Sequence, residues 1–304
     1  MKILHAADGS PHAESAERLL NRIPFPAGSE MIVANVLEEI HVSAFGENLG
    51  RYVREELHDE RIGHSRELLK SSSGRLSDRF RSIREELLTG HAADEIATLA
   101  KAEQVDLVSI GARGMNGLER FLLGSTSEKI LRRAPCSVLV AHHPTTARDT
   151  GPVSDRLRLL VAFDGSPAAS EAVETLARHP LGDSVEIVLL YVHSLVTSFR
   201  ADILQRCSQQ WQQEEAVARV ALDKAARRLE SFGAKTVGVT VHETSDVTAE
   251  ILNVAETWNA DIILAGDTGK SGVDRFLMGS VCKRLTRHAF CGVWVTRQKH
   301  TTDK

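Results

Sequence analysis

The amino-acid sequence predicts an α/β protein with two tandem domains, each a doubly wound, five-stranded parallel sheet with helices on both faces. Two observations lead to this prediction. Short continuous runs of β-branched and aliphatic residues alternate with longer helical segments, which is the rhythm of parallel strands joined by crossover helices. The whole series then occurs a second time within 304 residues, a length that suits two domains of roughly 100–200 residues each.

The first copy contains five strand segments and four helical segments. Its first strand runs into the turn sequence Asp8-Gly9-Ser10-Pro11, since Gly and Pro punctuate the ends of strands. Its third strand is the weakest, because Glu85 and Glu86 interrupt the apolar run. The predicted strands are 3–7, 31–37, 83–88, 107–110 and 137–140, and the predicted helices are 10–20, 53–69, 93–103 and 125–133.

The second copy repeats this order of elements. Its long charged helix is predicted over 209–231, which makes it longer than the helix it corresponds to. Its predicted strands are 159–163, 185–192, 236–242, 262–265 and 292–296.

A correspondence at a nearly constant offset relates the two copies. Gly111-Ala112-Arg113-Gly114 corresponds to Gly266-Asp267-Thr268-Gly269, 155 residues later. Near the start, the turn that begins at Asp8 corresponds to Asp164-Gly165-Ser166-Pro167 at an offset of 156. Self-similarity of this kind indicates one repeated structural unit. We predict domain 1 over 1–142, a linker over 143–156, domain 2 over 157–297 and a tail over 298–304.

Composition narrows the functional class. The formal net charge is −4, so no overall basic field points to nucleic acid as a partner. The four cysteines form no C-x-x-C pair, and such sparse use fits a reducing compartment. The first residues lack a signal-peptide apolar region, and no run of about 18–20 apolar residues predicts a membrane helix. We therefore expect a cytoplasmic protein without a membrane partner.

Each copy carries the pattern Gly-x2-Gly-x9-Gly-Ser directly after its fourth strand. Glycines at such a point let the backbone approach a bound group and can adopt a positive φ. The third glycine and the Ser open the next helix, whose free N–H groups and dipole attract anions; we expect the Ser to cap it. A glycine-rich turn with an N-cap would explain one copy, but recurrence at fixed spacing favours a phosphate-binding loop. The residues are Gly111, Gly114, Gly124 and Ser125, and Gly266, Gly269, Gly279 and Ser280.

Two better-known nucleotide motifs do not match. Gly269-Lys270-Ser271 resembles the end of a Walker A loop, but Leu264 stands where that motif requires a glycine. The first copy has no Lys-Ser at this point. The dinucleotide fingerprint G-x-G-x-x-G also fails, because neither Asp-Gly-Ser turn supplies its glycines.

These motifs together resemble the universal stress protein family in its tandem, ATP-binding form. The resemblance rests on both glycine patterns, on the Asp8-Gly9-Ser10 turn and on the closing block Ala134-Pro135-Cys136-Ser137. It covers nearly all of both copies. The second copy diverges more, since Phe290 replaces the family's usual Pro. The resemblance implies a Rossmann-like fold of the adenine nucleotide alpha hydrolase type, with ATP, accompanied by Mg²⁺ or Mn²⁺, as the ligand.

The resemblance also implies which residues contact the nucleotide. Asp8 and Asp164 lie at the pocket after the first strand, and Val36 and Val192 border the adenine. The glycine patterns hold ribose and phosphates. The full predicted set is Ala7, Asp8, Val36, Gly111, Arg113, Gly114, Gly124, Ser125 and Thr126 in copy 1, and Phe163, Asp164, Val192, Gly266, Thr268, Gly269, Gly279, Ser280 and Val281 in copy 2.

The residues alone leave some roles open. Asp8 and Asp164 could bind a metal or ribose hydroxyls, or could simply accept hydrogen bonds within their turns. Because Arg113 has Thr268 as its counterpart, while Lys270 follows two residues later, we expect the two sites to differ in affinity. Cys136 and Cys291 are interpreted as buried apolar residues, and the charged helices as solvated faces.

We predict a regulatory, ATP-binding stress-response protein. No general base is identified, so no catalytic residue is predicted. Two alternatives remain, a weak ATPase or related nucleotide-dependent enzyme and a scaffold with a structural nucleotide. The family further implies an internal pseudo-dimer of the two domains through their fifth strands; a homodimer and an unidentified protein partner remain open.

Overall fold

The computed structural model describes residues 1–38, 47–76, 78–114, 123–143, 156–194, 201–234, 236–269 and 278–297. For residues 47–57, 201–212, 236, 237 and 243 it describes the backbone alone. Contacts divide the chain into two compact units. Unit 1 comprises residues 1–21 and 27–141, and unit 2 comprises residues 22–26 and 142–304. The domain limits given from the sequence, 1–142 and 157–297 with a linker and a tail, remain predictions.

Within the described residues, unit 1 has five strands and four helices in alternation. Its strand order is β3-β2-β1-β4-β5, and adjacent strands pair in parallel. The elements are β1 Lys2–Ala6, α1 Pro11–Arg22, β2 Glu30–Leu37, α2 Glu47–Leu76, β3 Ser82–Thr89, α3 Ala92–Ala102, β4 Leu107–Gly111, α4 Ser125–Arg133 and β5 Ser137–Ala141.

Unit 2 repeats this architecture, with strand order β10-β9-β6-β7-β8 and parallel pairing. A short 3-10 helix, Gly182–Ser184, precedes its second strand. The elements are β6 Leu157–Ala162, α5 Pro167–Ala177, β7 Val185–Ser194, α6 Ala201–Ser231, β8 Thr236–Thr244, α7 Val247–Thr257, β9 Ile262–Gly266, α8 Ser280–His288 and β10 Gly292–Thr296. The predicted α/β class with two parallel sheets is confirmed.

Strands β5 and β10 are mostly apolar and are buried along their whole length. Cys136 and Cys291 are buried beside these strands, as predicted. Trp294 in β10 is fully buried. This pattern is the one expected of parallel sheets in α/β proteins.

The order of strands in unit 1 creates a crevice. The chain starts at the central β1, moves outward to β2 and β3, and then returns to the other side of β1 with β4. At such a switch point the loops after β1 and β4 diverge, which leaves a groove at the carboxyl ends of the strands. The predicted Asp8 turn and the glycine loop both follow strands that border this groove.

Two long helices differ from their predicted bounds. Helix α2 runs from Glu47 to Leu76, whereas 53–69 was predicted, and α6 begins at Ala201 rather than at 209. The C-terminal extension of α2 includes Gly74 and three serines, a composition typical of a loop. It is helical because Leu76 is fully buried and because Ser72 and Arg75 bond to Glu17 of α1.

None of the helices within the described residues combines the length and apolarity needed to cross a membrane.

Candidate functional site

A cavity of about 650 Å³ lies at the switch point of unit 1. It is bordered by residues that follow β1, β2 and β4 and by the first turn of α4. All nine residues predicted for copy 1 line it, namely Ala7, Asp8, Val36, Gly111, Arg113, Gly114, Gly124, Ser125 and Thr126. The structure thus brings together one set of residues from four separate segments of the sequence.

The Asp8 turn is built to present one carboxylate oxygen to the glycine loop. Oδ1 of Asp8 accepts a hydrogen bond of 3.0 Å from the Ser10 N–H, and Gly9 adopts φ +75° to close the turn. A Cβ placed on Gly114 would lie 2.8 Å from Asp8 Oδ2. Glycine is therefore needed at 114 because the carboxylate and the loop backbone are so close.

Ser10 joins the turn to the loop and to helix α1. Its Oγ accepts a hydrogen bond from the Ala13 N–H at 3.2 Å, which caps α1, and donates one of 3.1 Å to the Arg113 carbonyl. Pro11 follows at the first helical position, where a missing N–H is harmless. The Asp-Gly-Ser-Pro sequence thus ends β1, starts α1 and fixes the loop that carries Arg113.

Gly111 lines the cavity and also has a packing role. The sequence pattern allows positive φ at the first glycines, but neither Gly111 nor Gly114 adopts it. A Cβ on Gly111 would lie 2.8 Å from the Ala13 nitrogen and 2.9 Å from the His12 Cβ. Gly111 therefore allows α1 to pack directly against the end of β4.

The first turn of α4 borders the cavity. Gly124, not Ser125, occupies the N-cap position, without a side-chain cap bond; the prediction that Ser125 caps this helix is wrong. The first N–H groups of a helix have no intrahelical acceptor and carry partial positive charge. Ser127 secures the helix by donating a hydrogen bond of 2.8 Å to the Gly111 carbonyl. This arrangement suits an anion such as a phosphate.

Several cavity residues were not predicted. Asn35 Nδ2 donates a hydrogen bond of 2.6 Å to the Ala7 carbonyl. As the only polar residue in the apolar segment 31–37, it was a signal that could have been recognised. Glu38 follows β2, and Arg61 comes from α2. No local pattern marks these two, because they reach the cavity only through the fold.

Unit 2 reproduces the backbone of this site. Oδ1 of Asp164 accepts a hydrogen bond of 2.9 Å from the Ser166 N–H, and Gly165 has φ +78°. A Cβ on Gly269 would lie 3.1 Å from Asp164 Oδ2. One on Gly266 would lie 2.6 Å from the Ala168 Cβ. The glycine roles found in unit 1 therefore recur.

The remaining predicted residues of unit 2 occupy corresponding places. The Phe163 N–H donates to the Leu190 carbonyl at 2.9 Å, as the Ala7 N–H does to the Ala34 carbonyl at 2.8 Å. Val192 lies near the end of β7, and Thr268 lies between the first two glycines of the loop. Gly279 is the N-cap of α8 and lacks a side-chain cap bond. The predicted cap role of Ser280 is therefore also wrong; Ser280 and Val281 form the first turn.

Side chains around the unit 2 loop differ from those of unit 1. Asp267 replaces Ala112, and its Oδ2 lies 3.4 Å from Nε of Arg297. Tyr191, which is buried, replaces Asn35. Cys282 replaces Ser127, and burial raises the pKa of its thiol to about 12. The two units thus share a scaffold but offer different chemistry. Lys270 lies outside the described residues.

Comparison with known proteins identifies the repeated unit. A family model described as universal stress protein family matches residues 1–142 and again 156–297. A universal stress protein of Mycolicibacterium smegmatis is 29% identical over 201 residues, 65% of this chain and 64% of that protein. The alignment therefore spans less than two thirds of this relative's length. A universal stress protein of Thermus aquaticus is 31% identical over 140 residues, which cover 45% of this chain but 96% of the relative.

A solved structure shows the same fold over nearly the whole chain. The crystal structure of a universal stress protein from Archaeoglobus fulgidus covers 98% of this chain and 96% of its own, with a TM-score of 0.59 at 20% identity. This similarity concerns the fold alone.

Proposed function

Because the chain belongs to the universal stress protein family, we propose that it binds ATP in unit 1 and acts as a regulatory protein of the stress response. The observation that supports this most directly is the cavity of about 650 Å³ lined by all nine predicted contact residues. Its volume falls in the range of about 300–1,000 Å³ typical of small-molecule sites. It also lies where doubly wound sheets bind their ligands.

The proposed orientation of ATP follows from the chemistry of the cavity walls. Apolar side chains from β2, including Val36, suit the adenine. The glycine loop and the first turn of α4 suit the phosphates, because backbone N–H groups there can donate to phosphate oxygens. Thr126 and Ser125 can add hydroxyl donors. Asp8 Oδ2, which faces Gly114, is a carboxylate available to a divalent ion carried by the phosphates.

Unit 2 carries the same loop, so we propose a second nucleotide site around Gly266, Gly269 and Gly279. Its different side chains predict a different affinity. In a chain with two unequal sites, the occupancy of the weaker site would follow the ATP concentration, while the tighter site would stay occupied.

A nucleotide-binding experiment on glycine variants tests the proposal. Gly114→Ala places a methyl group 2.8 Å from Asp8 Oδ2 and should reduce ATP affinity at least tenfold. Gly74→Ala is the matched control, since a Cβ there meets nothing within 4 Å. Titration calorimetry on both variants measures the difference. Unchanged ATP binding by Gly114→Ala, at wild-type stoichiometry, would contradict the proposed site.

The two alternatives predict other results. A weak ATPase would release phosphate at a rate that falls when Asp8 is replaced by Asn. A scaffold with structural nucleotide would copurify with ATP that does not exchange with labelled ATP added to the solution. The regulatory proposal predicts that bound ATP exchanges with the labelled ATP.

A further inference from the structure

One face of helix α2 packs against the rest of unit 1 and leads to the cavity. Ser65, Leu69, Ser72 and Leu76 are buried, at successive spacings of four, three and four residues, which places them on one side of a helix. Arg61 precedes Ser65 by four residues and so continues the same face. Of the α2 residues whose side chains the structure describes, Arg61 is the one that lines the cavity.

Contacts along this face fix the position of Arg61. Leu68, two turns after Arg61, packs on the Asp8 turn, because a Cβ on Gly9 would lie 2.9 Å from its Cδ1. Farther along, Ser72 Oγ donates a hydrogen bond of 2.5 Å to Glu17 Oε1, and Arg75 Nη2 donates one of 3.1 Å. Two turns of helix span about 11 Å, so Arg61 lies about that far along α2 from the residue that packs on the Asp8 turn.

Arg61 keeps its charge available for a ligand. Within the described part of the chain its guanidinium makes no hydrogen bond or ion pair. A guanidinium stays protonated at any physiological pH. Among the residues that the structure describes, the charged ones lining the cavity are Asp8, Glu38, Arg61 and Arg113. Without Arg61 this described set would carry a net negative charge, which opposes a polyphosphate.

Helix α6 of unit 2 provides an internal comparison. Its buried residues Ala218, Leu222, Ala225 and Leu229 have the same spacing of four, three and four residues. Aligning the two buried faces places Glu214 at the position of Arg61. The alignment has independent support, because Arg228 then corresponds to Arg75, and each of these arginines pairs with a glutamate of the preceding helix.

The charge difference extends to the loops. In unit 2, Thr268 replaces Arg113 and Asp267 replaces Ala112, and both changes make the loop more negative. Two further differences work in the opposite direction, because Arg297 pairs with Asp267 and Ser194 replaces Glu38. The clearest single change remains the reversal from Arg61 to the exposed Glu214.

We propose that Arg61 is a specificity-determining residue that makes unit 1 select nucleotides with several phosphates, and that Glu214 makes unit 2 favour ligands with less negative charge. This inference rests on the proposed nucleotide site. It assigns to a helix face a role in distinguishing ATP from adenosine, through Coulombic attraction that a neutral ligand does not experience.

A charge-reversal experiment on the full chain tests this inference. Titration calorimetry with ATP and with adenosine would be carried out on Arg61→Glu and on Arg66→Glu, an exposed position of the same helix. Arg61→Glu should weaken ATP binding at least tenfold and adenosine binding less than twofold. Arg66→Glu should change neither by more than twofold, and Arg61→Lys should restore most of the affinity for ATP.

The reciprocal change is made in unit 2. In a Gly114→Ala background, Glu214→Arg should strengthen ATP binding at least fivefold, whereas Glu230→Arg, also exposed on α6, should not. Equal effects of Arg61→Glu on ATP and adenosine, or no effect on either, would overturn the inference while leaving the nucleotide site intact. Absence of any nucleotide binding by the wild-type chain would instead overturn the proposed function, and this inference with it.

Discussion

At the residue scale, the glycines of one motif have three separate physical roles. Gly111 lets α1 approach β4, Gly114 lets the Asp8 carboxylate approach the loop, and Gly124 starts α4. The sequence pattern predicts their importance but not this division, because spacing alone does not say which neighbour lies beside each Cα. The glycines that need positive φ are others, such as Gly9 and Gly165.

This division predicts different effects of alanine at two neighbouring glycines. Gly111→Ala should destabilise unit 1 by about 1–3 kcal/mol, because its Cβ would overlap the backbone of α1. Gly124→Ala should cost less than about 1 kcal/mol, since its nearest neighbour would be the Ala112 oxygen at 3.4 Å, an ordinary contact. Urea unfolding followed by circular dichroism measures both. Equal destabilisation by the two variants would contradict the assigned roles.

At the element scale, a buried polar cluster fastens α1 and α2 to β1. Glu17 is nearly inaccessible, with 3% of its side chain exposed, and lies between Arg75, Ser72 and His5, whose Nε2 is 3.5 Å from Glu17 Oε1. Val161 and Val173 stand at the positions of His5 and Glu17 in unit 2. At these two positions, therefore, unit 1 has a buried His–Glu pair and unit 2 has buried apolar side chains.

The cluster predicts a specific dependence of stability on pH. Burial by itself raises the pKa of Glu17, but the nearby His5 ring and hydrogen bonds from Arg75 and Ser72 outweigh burial and lower it to about 2, from an ordinary 4.5. The ionised carboxylate thus stabilises the fold, fully above about pH 5 and progressively less as pH falls from 4.5 towards 2. A shift of this size corresponds to on the order of 3 kcal/mol.

Replacing Glu17 by Gln should remove this pH-dependent contribution. We expect wild type to lose more unfolding free energy between pH 6 and pH 3 than Glu17→Gln does, with urea unfolding as the measurement. Glu67→Gln, at an exposed position of α2, should behave like wild type. Parallel pH profiles for wild type and Glu17→Gln would show that the cluster does not stabilise the ionised carboxylate.

The long helices also show what the sequence could and could not predict. The strands were predicted closely because continuous apolar runs leave few alternatives. The end of α2 was not predicted, because Ser71-Ser72-Ser73-Gly74 has the composition of a loop. The segment becomes helical through contacts with Glu17, which lies 55 residues from Ser72 in the sequence. Similarly, Asp8 and the glycines were predictable as local motifs, whereas Asn35, Glu38 and Arg61 join the site only through tertiary packing.

At the scale of the whole molecule, duplication has kept a scaffold and changed its side chains. The turns at Asp8 and Asp164 and the helix starts at Gly124 and Gly279 have equivalent hydrogen bonds. The residues around them differ in charge, size and hydrogen-bonding capacity. Two copies that retain the loop geometry while their surroundings diverge are consistent with two sites of different ligand preference.

Hydrogen exchange should reveal this asymmetry within one chain. On addition of ATP at a concentration that half-saturates unit 1, we expect slower exchange at 107–114 and 123–130 of unit 1, because a bound ligand suppresses local opening. The corresponding segments of unit 2, 262–269 and 278–285, should change less. Equal protection of both units at the same ATP concentration would contradict the proposed difference between the sites.

The central claim is that unit 1 is an ATP site. Mass analysis of the small molecules released from freshly purified full-length protein by denaturation tests it most directly. The account predicts ATP, released in an amount that falls sharply in Gly114→Ala and is retained in Gly74→Ala. Release of a flavin or a dinucleotide, or ATP release that Gly114→Ala leaves unchanged, would contradict it.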